Sequence, residues 1–79
     1  MNIELLNKVS QQVHDCYIKY GAYKSRHEFL GVLIEEIEDL KQEVFKKEPD
    51  LNRLGAEMVD CLTVLIKGYA DIVEYRNAR

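Results

Sequence analysis

The sequence predicts an all-α protein built as one three-helix domain spanning residues 1–79. Three observations carry this expectation. A single proline stands among the 79 residues, so long uninterrupted elements are possible. Apolar residues recur at steps of three and four through three separate stretches, which is the period of a helix face. Helix-start and helix-stop residues stand at the two places where that periodicity lapses.

The first helix is predicted from about Ile3 to Tyr20. Leu6, Val9, Val13, Cys16, Tyr17 and Tyr20 form one stripe on it, and Gly21 suits the left-handed position just past a helix end. Ala22, Tyr23 and Lys24 make the connection. Ser25-Arg26-His27-Glu28 then reads as a capping box, with a Ser that accepts from the backbone three residues on and a Glu that reaches back. The second helix is predicted from Ser25 to about Lys47, with a core stripe of Leu30, Leu33, Ile37, Leu40 and Val44. Pro49 belongs in a turn, and Asp50 suits the N-cap of a third helix from about Leu51 to Tyr75. Its core stripe is read as Leu54, Met58, Leu62, Leu65, Tyr69 and Ile72. From Cys61 to Ile66 that helix is apolar nearly all round, apart from Thr63, so it is expected to be covered on more than one side, including by a second subunit. A tight loop joins the second and third helices, so they are expected to pack antiparallel.

Composition narrows the function. A domain this small buries only about 60% of the surface its unfolded chain exposes, so it needs a staple, a metal or a partner subunit. The two cysteines, Cys16 and Cys61, each fall inside a helix and read as small buried apolar residues of a reducing compartment. Oligomerisation is the expected source of further burial. A net charge of −3 and a pI of about 5.3 argue against a nucleic-acid partner. No apolar run reaches membrane-spanning length, and the start Met1-Asn2-Ile3-Glu4 lacks a signal-peptide pattern, so a soluble cytoplasmic protein without membrane association is expected.

The placement of the acids is more telling than their number. The second helix carries Glu35-Glu36-Ile37-Glu38-Asp39 and the third Glu57-Met58-Val59-Asp60. At about 100° per residue, Glu36 lies roughly 80° from the centre of its helix's stripe and Glu43 roughly 100°, with Asp39 further round. Glu57 lies roughly 100° from the stripe centre of the third helix, with Asp60 beyond it on the same side. Each helix therefore has an i, i+3 carboxylate pair beside its apolar face. The wheel alone leaves open whether the two acidic edges face each other. If they meet, their mutual repulsion calls for a cation, and hard oxygen ligands suit Mg²⁺ or Mn²⁺ rather than Zn²⁺. A solvated acidic face is the other reading.

These residues resemble the motif of the MazG-like all-α nucleoside triphosphate pyrophosphatase superfamily, E-E-x-x-E on one helix and E-x-x-D on the next. Glu35-Glu36-Ile37-Glu38-Asp39 matches the first half and Glu57-Met58-Val59-Asp60 the second. The apolar run Cys61-Leu62-Thr63-Val64-Leu65-Ile66 looks like the family's continuation, and Tyr23-Lys24-Ser25-Arg26-His27-Glu28 is similar to short, phage-type members. The resemblance covers roughly Tyr20 to Tyr69. It implies the all-α NTP pyrophosphatase fold, an oligomeric helical bundle. It also implies Mg²⁺, with Mn²⁺ a substitute, held by Glu36, Asp39, Glu57 and Asp60. Glu35 and Glu36 become the catalytic carboxylates, and Glu35 or Glu43 orients the attacking water. The implied reaction cleaves a nucleoside triphosphate, deoxynucleotides included, between the α- and β-phosphates to give a monophosphate and pyrophosphate. The implied assembly is a homodimer or homotetramer whose subunits jointly line each site. One departure is Asp39, which stands where Glu is usual and is one methylene shorter. A non-catalytic module with a degenerate site, binding nucleotide or protein, and a plain dimerisation domain are the competing readings.

Lys24, Arg26 and Lys67 are candidate phosphate-binding residues, the first two beside a helix N-terminus. Solvated surface is their alternative. His27 is a candidate base or a packing residue, and His14 has no partner in view. Tyr17, Tyr20 and Tyr23 suit either base stacking or packing.

Overall fold

The computed structural model describes residues 2–75. Three α-helices follow one another, α1 (Ile3–Tyr20), α2 (Arg26–Val44) and α3 (Leu51–Gly68), and α3 runs straight on into a π-helical segment, Tyr69–Glu74. Among the described residues there is no strand, and no helix is long and apolar enough to cross a membrane.

The expected start signals act where they stand. Asn2, which is not among those signals, also caps α1 by accepting from the Glu4 amide at 2.7 Å. Ser25 caps α2 through the Glu28 amide at 3.0 Å, while the Glu28 carboxylate reaches back to the Lys24 amide at 3.1 Å, one residue beyond the usual capping-box partner. Asp50 caps α3, accepting from Asn52 and Arg53. Gly21 ends α1 with φ +72° and donates to the Tyr17 carbonyl. Its ψ of −166° lies outside the expected left-handed helical well, in a region that glycine alone adopts readily.

Two boundaries differ from expectation. Helix α2 stops at Val44 rather than near Lys47. Phe45 leaves the helical conformation (φ −87°, ψ 0°), and Pro49 bars its predecessor from the α region. The third helix is α-helical only to Gly68. Beyond it the wider π turns carry Asp71 inward, where it is almost fully buried.

Helix α3 is the centre of the fold and packs against both α1 and α2. The ring of Phe29, near the start of α2, lies against Gly68 at the end of α3. Glu43, near the end of α2, pairs with Arg53 near the start of α3 at 3.4 Å. The core gathers Tyr23 and Val64, with Phe29, Val32, Leu33 and Ile72 around them. Tyr23 meets Phe29 edge to face, ring centroids 5.8 Å apart, so the connection between α1 and α2 supplies a core residue.

The predicted core stripes are only partly inside. Val9 is buried as expected, and Leu33, Leu40, Leu54 and Ile72 are half-buried. Leu30, Ile37 and Val44 of α2 are exposed, as are Met58, Leu62, Leu65 and Tyr69 of the third helix. The side that α3 turns toward its own chain is Val59, Thr63, Val64, Lys67 and Asp71. That side is laced with polar residues, so apolar periodicity singles out the other side of the helix.

Candidate metal centre

Glu36 comes from the middle of α2, Asp39 from one turn further on, and Glu57 from the second turn of α3. Where the two helices pack, one carboxylate oxygen from each comes within 4.8 Å of the others. Glu36 and Glu57 are half-buried and Asp39 is exposed. Burial pushes the Glu36 carboxyl above its ordinary value, and the negative charges of Asp60, Asp39, Glu57 and Glu35 push it further. The same pressure reaches Cys61, whose thiol is raised by burial and by Glu36, Asp60, Glu57 and Asp39, and so stays protonated.

Asp60, the fourth predicted ligand, stands beside this trio rather than inside it. Its Oδ1 accepts a hydrogen bond from the Gln12 side chain of α1 at 2.7 Å. Gln12 also donates to Thr63 Oγ1 at 3.1 Å, and Thr63 donates in turn to the Val59 carbonyl at 2.8 Å. Helix α1 thus holds one oxygen of Asp60. Glu43, a candidate to orient the attacking water, does not join the group. It is buried and ion-paired with Lys46 at 2.6 Å and with Arg53.

A cavity of about 580 Å³ opens beside the acids, a size ordinary for a small-molecule site. Glu35 and Glu36 form one wall, Lys24 and Lys67 stand on others, and Tyr20, Tyr23 and Val64 supply apolar surface. Arg26, the first residue of α2, is exposed and is not among the lining residues, and neither are His14 and His27.

Lys67 departs most from expectation. It is only 3% exposed and sits in a cage: its ammonium lies 3.6 Å from the Tyr23 ring centroid and 4.8 Å from that of Tyr17, and pairs with Asp71 at 3.3 Å. Asp71 also accepts from the Tyr17 hydroxyl and from the Tyr23 amide at 2.8 Å. Burial and these contacts raise the Tyr17 hydroxyl well above its ordinary value. Tyr23 is pushed up to about 12 by burial and by Cys16, Asp71, Glu28 and Glu36. Tyr17 and Tyr23 are therefore packing residues here, and Tyr20 alone of the three remains largely exposed.

Gln12 and Asp71 were not legible as participants. Gln12 carries no local signal. Asp71 has one: Thr63, Lys67 and Asp71 recur every four residues in the otherwise apolar stretch from Cys61 to Val73, a polar ladder with an i, i+4 charge pair at its end.

Compared with family models, curated proteins and solved structures, the chain matches none.

Proposed function

We propose that this chain is a Mg²⁺-dependent nucleoside triphosphate pyrophosphohydrolase of the MazG-like type, acting in the cytoplasm as a homo-oligomer with α2 and α3 as an antiparallel pair. The observation that carries the reading is the convergence of Glu36, Asp39 and Glu57 beside a cavity with lysines on its walls. The donor set is all carboxylate oxygen, which suits Mg²⁺ or Mn²⁺, and the raised Glu36 carboxyl marks a place where positive charge is wanted.

In this reading Glu36, Asp39 and Glu57 hold the ion, and Asp60 adds the oxygen that Gln12 leaves open. Bound there, Mg²⁺ supplies neutralising charge for the phosphates and lowers the pKa of water. Glu35, on the cavity wall next to Glu36, accepts the proton of the water that attacks the α-phosphorus. The bond to the bridging oxygen breaks and pyrophosphate leaves with the electron pair. Lys24 meets the phosphates at the cavity rim. Lys67, committed to Asp71 and two rings, acts from the cavity wall through its charge. Asp39, shorter than the usual Glu and exposed, meets the ion at the open side, directly or through a water.

With Mg²⁺ and a panel of ribo- and deoxynucleoside triphosphates, the purified protein is expected to release pyrophosphate. Glu57→Gln should lower the rate at least 100-fold or so, since even outer partners of metal ligands are worth about 10–100-fold, while the helical circular dichroism stays intact. A folded wild type that turns over no nucleotide rules out the enzymatic reading.

A further inference from the structure

The acidic groove continues past the trio to one more charged pair. Glu43 follows Asp39 by four residues and Glu36 by seven, and Arg53 precedes Glu57 by four and Asp60 by seven. At about 100° per residue, each lies within roughly 40° of the acids on its own helix. Where α2 and α3 pack, Glu43 Oε2 lies 3.4 Å from Arg53 Nε. The pair stands one helical turn, about 6 Å, beyond Asp39 and Glu57 along the groove.

Two features set it apart from an ordinary surface contact. Glu43 is only 4% exposed, and its Oε1 is buried without a hydrogen-bond partner. Such a carboxylate is costly to hold in place. Arg53 is the reverse. Its side chain is 65% exposed, and among the described residues its guanidinium donates no hydrogen bond and has Glu43 as its one ion pair. The planar fork that grips a phosphate through two parallel hydrogen bonds is therefore open. Although Glu57 is one turn away, Arg53 pairs with neither Glu57 nor Asp39. Glu43 holds the guanidinium off the trio, and no side-chain cation neutralises Glu36, Asp39 and Glu57.

We infer that Arg53 is a phosphate-binding residue of the groove and that Glu43 is its positioning residue. This rests on the reading that the trio holds a divalent ion. Lys24 lies toward the start of α2 from the trio and Arg53 toward its end, so cations stand at both ends of the groove with the ion ligands between them. The ligand class this selects is a metal-bound polyphosphate, whose several oxygens can engage the ion, Lys24 and the guanidinium together. Charge gives the arrangement a signature. Arg53 attracts an anion and repels a bare cation one turn away, so its removal acts on the two in opposite senses.

Binding to the full-length protein tests it, with Mn²⁺ alone followed by electron paramagnetic resonance and inorganic pyrophosphate in excess Mg²⁺ followed by calorimetry. Arg53→Gln is expected to weaken pyrophosphate roughly 10-fold to 100-fold, as the loss of hydrogen bonds from a charged group implies, while Mn²⁺ alone binds as well as to wild type or better. Arg53→Lys keeps the charge, loses the fork and should also weaken pyrophosphate. Lys46→Gln removes the nearer partner of the same carboxylate and should leave pyrophosphate affinity unchanged. Glu43→Gln releases the guanidinium onto the trio and should weaken Mn²⁺, and adding Arg53→Gln should restore it. If Glu43→Gln does not fold, the Arg53 and Lys46 variants decide alone. Unchanged pyrophosphate affinity in Arg53→Gln overturns the inference, and so does an equal loss of both ligands, which marks a purely structural pair. A wild type that binds Mn²⁺ but not pyrophosphate overturns it and leaves the metal centre standing. A wild type that binds neither overturns both. Arg53-dependent pyrophosphate binding without turnover of any nucleoside triphosphate supports it and rules out only the enzymatic reading.

Discussion

Glu36 feels the charges of Asp60, Asp39, Glu57 and Glu35, and that position has a consequence without any metal. In the folded chain it keeps its proton to a higher pH than in the unfolded chain, where the ordinary value is 4.5. Above that value the folded state binds the extra proton, so this contribution to stability is lost as pH rises through the raised folded value. Without divalent cations, the melting temperature of wild type relative to Glu36→Gln is expected to fall as pH climbs from 4.5 toward neutrality. Parallel curves for the two proteins would sink this account. Asp71 has the opposite character, since it answers a charge rather than adding to a crowd. Asp71→Ala leaves the Lys67 ammonium buried among rings, and breaking such a pair costs about 3–5 kcal/mol. Urea unfolding should show a loss of that size, with much of it recovered when Lys67→Met is added. The acids beside the groove were legible because their spacing is local. Gln12 and Tyr23 were not, because their partners lie 48 to 51 residues away on another element, and the rings around Lys67 come from α1 and its connection.

At the scale of elements, capping residues and glycines decide the boundaries and the helix contact. Ser25, Asp50 and Asn2 each satisfy an amide that the helix cannot, and the first two stand out in the sequence. Gly68 shows where propensity and packing disagree. Alanine is the better helix former by about 1 kcal/mol. A Cβ at position 68 would run into the Phe29 ring, which Tyr23 holds edge-on, and overpacking of this kind costs about 1–3 kcal/mol. Packing wins, so Gly68→Ala should destabilise. Gly31→Ala, on the open side of α2, meets nothing within 4 Å and should stabilise by roughly 1 kcal/mol. Denaturant midpoints of the two variants should move in opposite directions, and a shared direction contradicts the close α2–α3 approach.

The whole molecule is a small core with two unlike sides. One side collects carboxylates beside a cavity and the other is apolar. A ligand that binds only the folded chain stabilises it by mass action, about 2.7 kcal/mol at a hundredfold excess over its dissociation constant. Millimolar Mg²⁺ at neutral pH is therefore expected to raise the melting temperature of wild type and to do little for Glu57→Gln. An equal rise in both, or none in either, removes Glu57 from the centre.

The all-helical class, the three helices, the caps of α2 and α3, and the acidic pairs on those two helices were determined by sequence alone. Each rests on contacts between residues one to four positions apart, where helical geometry is fixed by the backbone. Which side of each helix faces inward was decided only by the tertiary structure. Apolar spacing reports every face that avoids water and cannot say whether its cover is the same chain or another. Thus Met58, Leu62, Leu65 and Tyr69, expected in the core, lie on the outer face. The polar ladder of Thr63, Lys67 and Asp71 takes the inside because Gln12, Tyr17 and Tyr23, brought in from α1 and its connection, satisfy its hydrogen bonds and charge.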